Sequence, residues 1–453
     1  MGIISALLCF LLIAFYSLRK ARQVKSQDEY LLAGRHTKLL PLVATLVMTE
    51  FNTGTLISFS SLGYLAGYWA LAMPFIFLIG LLFYTLTVAK KWKQFNGVSV
   101  AHFFATRYGR KLELLVAGVL FLAMLGFSAA YIKSLTLLML PLISINSLIL
   151  SAALVIVILL LTLRGGLSSI IALDVLSFIF VLVFFPLLVY FTYHLPQNSQ
   201  VPAFNLAQMQ ALLPPQFIIS LTILTMFSYI IAPWYGQKIV AAKTQQTAYF
   251  AAAIAAIIIF LLYGLGILAT AILRSKGVQL ADIQLGLPYL IRNALPHALQ
   301  GVAYVVLFFV AASTLAGVWN AMVTLIVGSI FKSNSSKVNT NILWVLICAI
   351  IAYIIANTLI DNILSKMILF NIPIVAFCFA LLAGFYWSKA NSQSAYVSIL
   401  VGITWGIFCY FYFGETGNYT WYWAIYGIPL IFISGIITAL FSAKKPWLSE
   451  HYL

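Results

Sequence analysis

Long apolar runs, each close to the thickness of a bilayer, alternate with short polar segments from Ile3 nearly to the end of the chain. At roughly 20 residues per crossing, they predict thirteen membrane-spanning helices. These fall at about 3–18, 39–66, 68–89, 113–139, 144–163, 167–193, 214–238, 246–273, 299–331, 339–358, 362–387, 393–413 and 420–442. The first run has no basic segment before it and no clear small-residue cleavage site, and its charges follow it. It therefore reads as a retained span rather than a signal peptide. Three spans are interrupted: the second at Glu50-Phe51-Asn52-Thr53-Gly54, the seventh at Ala232-Pro233-Trp234-Tyr235-Gly236 and the eleventh at Asn371-Ile372-Pro373. Broken helices at membrane depth are tolerated only where they pack in protein or line a cavity. The breaks in spans 2 and 7, five spans apart, point to a midplane binding site in an inverted five-plus-five repeat.

Composition agrees with a polytopic all-α membrane protein. Of 453 residues, 63% are hydrophobic and 8% charged, where a soluble chain carries roughly 25% charged residues. The net charge of +16 would suggest nucleic acid in a soluble protein. Here it is explained by loop polarity: odd-numbered connections carry 20 of the 25 Lys and Arg residues and even-numbered ones carry only Arg274, Lys276 and Arg292. The positive-inside rule then puts the N-terminus outside and the C-terminus in the cytoplasm. Cys9, Cys348, Cys378 and Cys409 all lie in apolar runs without disulfide or metal spacing, and the five histidines are scattered. A metal-dependent membrane enzyme has little to work with, and no P-loop supplies ATP drive.

Candidate chemistry lies inside the spans. In Phe308–Lys332 two adjacent hydroxyls, Ser313 and Thr314, sit among Ala311, Ala312, Ala316 and Gly317, small residues that let another backbone approach. Neutral oxygens beside close carbonyls suit a hard cation such as Na⁺. The plainer alternative is that they bond their own helix or glue two helices together. Glu50 lies twelve residues beyond Lys38, so roughly 18 Å deep at 1.5 Å per residue. A carboxylate there needs pairing, hydration or a proton. It reads as the counter-charge of a cationic solute group, a proton or Na⁺, or else as a cap on the amides of the broken helix. Asp174, partly buried on the cytoplasmic side of span 6, could pair with an inner arginine or guide a cation out. Lys133 and Lys366, near span ends, read as snorkelling. Trp234 and Tyr235 stand out from the many belt aromatics only because they sit in a break.

Five segments resemble the sodium:solute symporter family, the group of the proline, pantothenate, sialic acid and glucose symporters. Asp28-Glu29-Tyr30-Leu31-Leu32-Ala33-Gly34-Arg35 is similar to its DYFLAGR, and Val98–Gly109 to its TVPEFLEKRFG. Arg164-Gly165-Gly166-Leu167 through Asp174-Val175 resembles GGLKAVVWTDVIQ, and Gln237–Lys243 resembles QRYLAAK. Ala311-Ala312-Ser313-Thr314 through Ile330-Phe331-Lys332 is similar to AAMSTADSLLNSSSTLFTRDIYK. Each is loose, but the five occur in order.

The resemblance implies a leucine-transporter-like core and solute uptake driven by Na⁺ through alternating access. It places a sodium site at Ser313 and Thr314, with the carbonyl of Val310 and those of the span 2 break, Phe51 and Thr53 being candidates. Solute is expected beside the unwound parts of spans 2 and 7, with Glu50, Asn52, Trp234, Tyr235 and Asn371 as the candidate residues, and the resemblance puts Asp174 on the cytoplasmic cation path. There are departures. The family's STADS continues here as Ser-Thr-Leu-Ala-Gly, Ser329 replaces an acidic residue, and Glu50 is an addition near the position where proline symporters hold an aspartate. The expected organisation is a first helix and basic loop over 1–38, a ten-helix core over 39–387, and two C-terminal helices with a short tail over 388–453. The expected function is Na⁺-coupled symport of a small polar organic solute in a bacterial inner membrane, with Na⁺ as coupling ion, no organic cofactor and no nucleic-acid partner. No protein partner can be named. Two alternatives stand beside it: a proton-coupled symporter using Glu50, and a solute sensor built on the transporter fold, although no output domain follows span 13.

Overall fold

The structure, a computed structural model, describes residues 2–22, 24, 26–95, 97–143, 145–197, 205–331, 338–415 and 418–442. Lys25, Lys332, Lys337, Lys444 and Lys445, all used in reading orientation, lie outside the described residues, as does the tail from 443.

The described chain runs through α1 (Gly2–Ala21), α2 (Gln27–Leu32), α3 (Leu39–Glu50), α4 (Thr53–Ala66), α5 (Phe75–Tyr84), α6 (Lys90–Phe95) and α7 (Val100–Tyr108). It continues through α8 (Arg110–Met139), α9 (Ser147–Thr162), α10 (Gly166–Tyr193), α11 (Leu206–Leu212), α12 (Pro215–Tyr229), α13 (Pro233–Val240) and α14 (Gln245–Ser275). The last part holds α15 (Gly286–Asn293), α16 (His297–Leu325), α17 (Val338–Thr358), α18 (Ile363–Val375), α19 (Cys378–Tyr386), α20 (Ser392–Phe413), α21 (Tyr419–Tyr422) and α22 (Ile428–Phe441). A π-turn over Thr85–Ala89 carries α5 into α6, and another over Ile326–Ile330 prolongs α16. Eight helices among the described residues are long and apolar enough to cross a membrane, or up to eleven when each bent pair is one span; Leu7–Arg19 and Ser147–Thr162 are shorter apolar helices. Large apolar side chains such as Phe15, Leu160, Leu400 and Phe411 point outward, as a lipid-facing surface requires.

The three expected breaks exist, two of them displaced. The second span bends by 60° between Glu50 and Thr53, as expected. In the seventh, the chain leaves helix at Ile230–Ala232 and Pro233 opens α13, so Trp234 and Tyr235 are helical rather than unwound. Proline at a first helical position loses nothing, because its missing N–H would have no intrahelical partner. In the eleventh, Asn371-Ile372-Pro373 lies inside α18 and the 41° bend comes after Val375. Proline frees the carbonyl one turn before it, but neighbouring helices can absorb the strain.

α14 packs along α3 and α4, while α10 and α16 flank α3. Small residues permit this: a Cβ on Gly63 of α4 would lie 2.6 Å from the Ile267 carbonyl of α14. Four of the five family-like segments meet at α2. The Tyr30 carbonyl accepts from Asn320 Nδ2 at 3.1 Å, and the Leu31 carbonyl from Gln237 Nε2 at 2.7 Å. Gly166, at φ +50°, comes so close that a Cβ would lie 2.3 Å from the Tyr30 carbonyl oxygen. The fifth segment, Val98–Gly109, touches the end of the α16 segment through Ser99 and Ser329, whose hydroxyls are 2.6 Å apart. Next to α2, Thr37 exchanges backbone hydrogen bonds of 3.0 and 2.9 Å with Ala241 and Lys243, tying the entry of α3 to the exit of α13.

Gly166 is therefore a place where alanine combines a left-handed backbone with a backbone clash. Gly166→Ala is expected to cost on the order of 3 kcal/mol. A thermal melt of the detergent-solubilised protein should fall by several degrees, and an unchanged melt would show that α2 yields freely.

Candidate cation and solute site

The break between α3 and α4 sets the local geometry. Phe51 (φ −77°, ψ 65°) is the centre of an inverse γ-turn, closed by the Asn52 N–H on the Glu50 carbonyl at 2.8 Å. Asn52 caps α4: its Oδ1 accepts from the Thr55 N–H at 2.8 Å, and its Nδ2 donates to the Glu50 carbonyl at 2.9 Å. The hydroxyl of Tyr263 on α14 donates to that same carbonyl. In an unbroken helix the Asn52 N–H would go to the Met48 carbonyl, and the Thr55 N–H to that of Phe51. Both donors are diverted, so two carbonyls three residues apart lose their helical partners.

Thr314 takes up one of them. Its Oγ1 donates to the Met48 carbonyl at 3.2 Å and lies 2.9 Å from the Val310 carbonyl. Ser313 Oγ donates to the Val310 carbonyl at 3.1 Å. Two hydroxyls and two carbonyls, all buried, thus meet between α3 and α16. These bonds include both of the ordinary ones, to the same helix and to a neighbour. What distinguishes the pair is that the neighbouring carbonyl has been stripped of its own donor. An all-oxygen, uncharged set fits Na⁺. The Thr53 hydroxyl takes no part in this set and lies 2.9 Å from Ser134 on α8.

On the other side of the break, the Glu50 carboxylate is only 2% exposed. It accepts the hydroxyl of Tyr229 and, at 3.1 Å, the indole N–H of Trp234. Trp234 lies against Phe127 (centroids 5.2 Å) and Tyr229 against Phe77 (6.0 Å), so the carboxylate is enclosed by aromatic rings. Tyr235 does not join it; its ring packs on Tyr84 and its buried hydroxyl has no hydrogen-bond partner. Asn371 bonds the Met367 carbonyl of its own helix at 3.0 Å, and the Met367 sulfur abuts Gly54. α18 therefore faces the break one turn before Asn371.

Asp174 is fully buried and pairs with Lys238 Nζ at 3.0 Å. Lys238 is one of the basic residues read as lying in a loop; it is 1% exposed, a correction that makes it part of the interior. Its ammonium also donates to the Thr45 carbonyl at 3.2 Å and to the Thr49 hydroxyl, and Thr45 Oγ1 donates to Asp174. Of the two lysines read as snorkelling, Lys133 is half-buried on α8. Lys366 pairs at 3.2 Å with the exposed Asp361, whose carboxyl is held below its usual range by the Asn362 amide and then by Lys366. Met48, Tyr229 and Tyr263 carry no signal in the sequence, since an isolated Met or Tyr in an apolar run reads as packing.

The sodium:solute symporter family matches over residues 30–402. The chain belongs to that family. Sodium symport across a membrane, with Na⁺ as the coupling ion, goes with the membership of this symporter. A solved Na⁺-coupled sialic acid symporter, in a substrate-bound outward-open state, is similar over 99% of this chain and 99% of its own, with a TM-score of 0.79. At 16% identity, that likeness establishes the fold. No curated protein matches the sequence.

Proposed function

We propose that this symporter couples inward Na⁺ movement to uptake of a small polar organic solute across a bacterial inner membrane. It does so with thirteen spans, the N-terminus outside and the C-terminus in the cytoplasm. The ten central spans form a leucine-transporter-like inverted repeat. Na⁺ is held by the hydroxyls of Ser313 and Thr314 and by the carbonyls of Val310, Met48 and Phe51, bridging α16 to the α3–α4 break. Solute binds beside Glu50, Asn52 and Trp234, with Asn371 across the break. Na⁺ drives the cycle because it binds the outward-open arrangement more tightly than the inward-open one; equal affinity would shift nothing. The observation that carries the reading is the Met48 carbonyl, released by the γ-turn and met by Thr314 at 3.2 Å.

The enclosed Glu50 carboxylate favours a solute with an amine or other cationic group, because a buried charge calls for an opposite one. The same carboxylate supports a second reading, in which it carries a proton as the coupling ion. Counterflow of radiolabelled amino acids, amines, carboxylates and sugars into proteoliposomes separates the two. Exchange of at least one amine-bearing solute that rises steeply with Na⁺ is expected. Flux that follows pH and ignores Na⁺ favours the proton; flux indifferent to both rejects coupling altogether.

A further inference from the structure

Lys238 is a buried cation for which the sodium site has no evident use. Its ammonium rests on three oxygens, the Asp174 carboxylate at 3.0 Å, the Thr45 carbonyl at 3.2 Å and the Thr49 hydroxyl. Carboxylate, carbonyl and hydroxyl are the ligands that a hard monovalent cation takes. The position adjoins the sodium site on both of its walls. On α3, Thr49 follows Met48. On α16, a Cβ at Gly317 would lie 3.9 Å from Lys238 Nζ, and Gly317 is one helical turn beyond Ser313, on the same face.

We propose that Lys238 is a tethered cation. Its ammonium fills a second cation position one turn from the sodium site, so the transporter carries a single Na⁺ per cycle. The inference rests on the sodium reading of Ser313 and Thr314 given above. Three features argue for a cation position rather than a simple structural pair. First, Asp174 Oδ1 is buried without a hydrogen-bond partner, and buried carboxylate oxygens are ordinarily satisfied. Here the ammonium reaches Oδ2 and leaves Oδ1 open. Second, a buried ion pair is a weak source of stability in itself, so stability alone gives little reason for placing one here. Third, the charges balance locally. The other buried acids among the described residues are engaged elsewhere, Glu50 by Tyr229 and Trp234, and Glu113 by Arg110 at 2.5 Å. Asp174 alone among these acids is hydrogen-bonded to the ammonium, which neutralises it. With the ammonium seated on its three oxygens, no place among them is left for a second mobile ion.

Two measurements test this. Radiolabelled Na⁺ bound per purified transporter, and the Na⁺-to-solute ratio from reversal potentials in proteoliposomes, are expected to be one in the wild type, with a Hill coefficient near one. Lys238→Ala, which removes both charge and bulk, is expected to raise bound Na⁺ from one to two and the Hill coefficient toward two. Lys238→Ala/Asp174→Asn should return to one, and Lys238→Arg should stay at one. A structural role alone would change melting temperature and leave the count at one. Two ions bound to the wild type overturn the proposal by themselves, as does a well-folded Lys238→Ala that still binds one. If Lys238→Ala cannot be recovered folded, the wild-type ratio decides. A wild type that binds no Na⁺ rejects the sodium reading itself, and this inference with it.

Discussion

Replacing Ser313 and Thr314 together by alanine is expected to raise the Na⁺ concentration for half-maximal uptake about a hundredfold. Each hydroxyl supplies one oxygen to a cation, and a hydrogen-bonding group that contacts a charge contributes about 1.5 kcal/mol or more. Two such losses come to roughly 3 kcal/mol, or about two powers of ten in affinity. Folding should suffer far less. In the structure these hydroxyls bond only the Val310 and Met48 carbonyls. Val310 keeps its place in the α16 ladder, and only Met48 is left short of a donor. Thr314→Ser, which retains the oxygen, should stay within a few fold of the wild type, while Thr314→Val, which keeps the shape, should behave like Thr314→Ala. Uptake titrated against Na⁺ at saturating solute reads the effect directly. If the double variant keeps the wild-type Na⁺ dependence, the hydroxyls are helix-packing groups and the ion lies elsewhere.

What the residue pattern disclosed and what it concealed follow from the range of the interactions involved. Apolar runs show helices because burial of a span is local, and a Glu-Phe-Asn-Thr-Gly run shows a break because polar and helix-capping residues are costly mid-membrane. The adjacent hydroxyls of α16 could be read for the same reason. Which carbonyl they meet could not be read. That depends on the Phe51 γ-turn diverting the Asn52 N–H, a dihedral choice that leaves no mark on the identity of Met48. By sequence Pro233 marks a site of unwinding, because proline breaks helices from within; at the first position of α13 it starts one instead. The sequence places Lys238 in a loop because a basic residue at the end of an apolar run looks like the start of a cytoplasmic connection. Only the partners from α3 and α10, 193 and 64 residues distant along the chain, reveal that its head points inward. Asp174 held half of that information, as a buried acid in need of a cation.

Glu50→Gln separates the two halves of the site. The carboxylate accepts hydrogen bonds on both oxygens, from Tyr229 on one and Trp234 on the other. Glutamine can accept on one atom only, and its amide nitrogen would confront a second donor. The substitution also removes the carboxylate charge from the aromatic enclosure. Losing a buried charged partner costs about 2–4 kcal/mol, so solute affinity should fall between about thirtyfold and a thousandfold, enough to abolish uptake at ordinary solute concentrations. Na⁺ binding should remain within a few fold of the wild type. The sodium oxygens proposed above come from Met48, Phe51, Val310, Ser313 and Thr314, and the Glu50 carbonyl is already committed to Asn52 and Tyr263. Na⁺ binding measured without solute, set beside solute uptake, would show the split. Were Glu50 the proton carrier instead, Glu50→Gln would retain exchange of internal for external solute while losing its dependence on pH. Were it only a cap for the broken helix, both activities would survive and only the melting temperature would drop. A carboxylate whose oxygens are held by Tyr229 of α12 and Trp234 of α13, while Thr314 of α16 reaches the Met48 carbonyl, would on the proposed reading recognise the cargo and leave the ion alone.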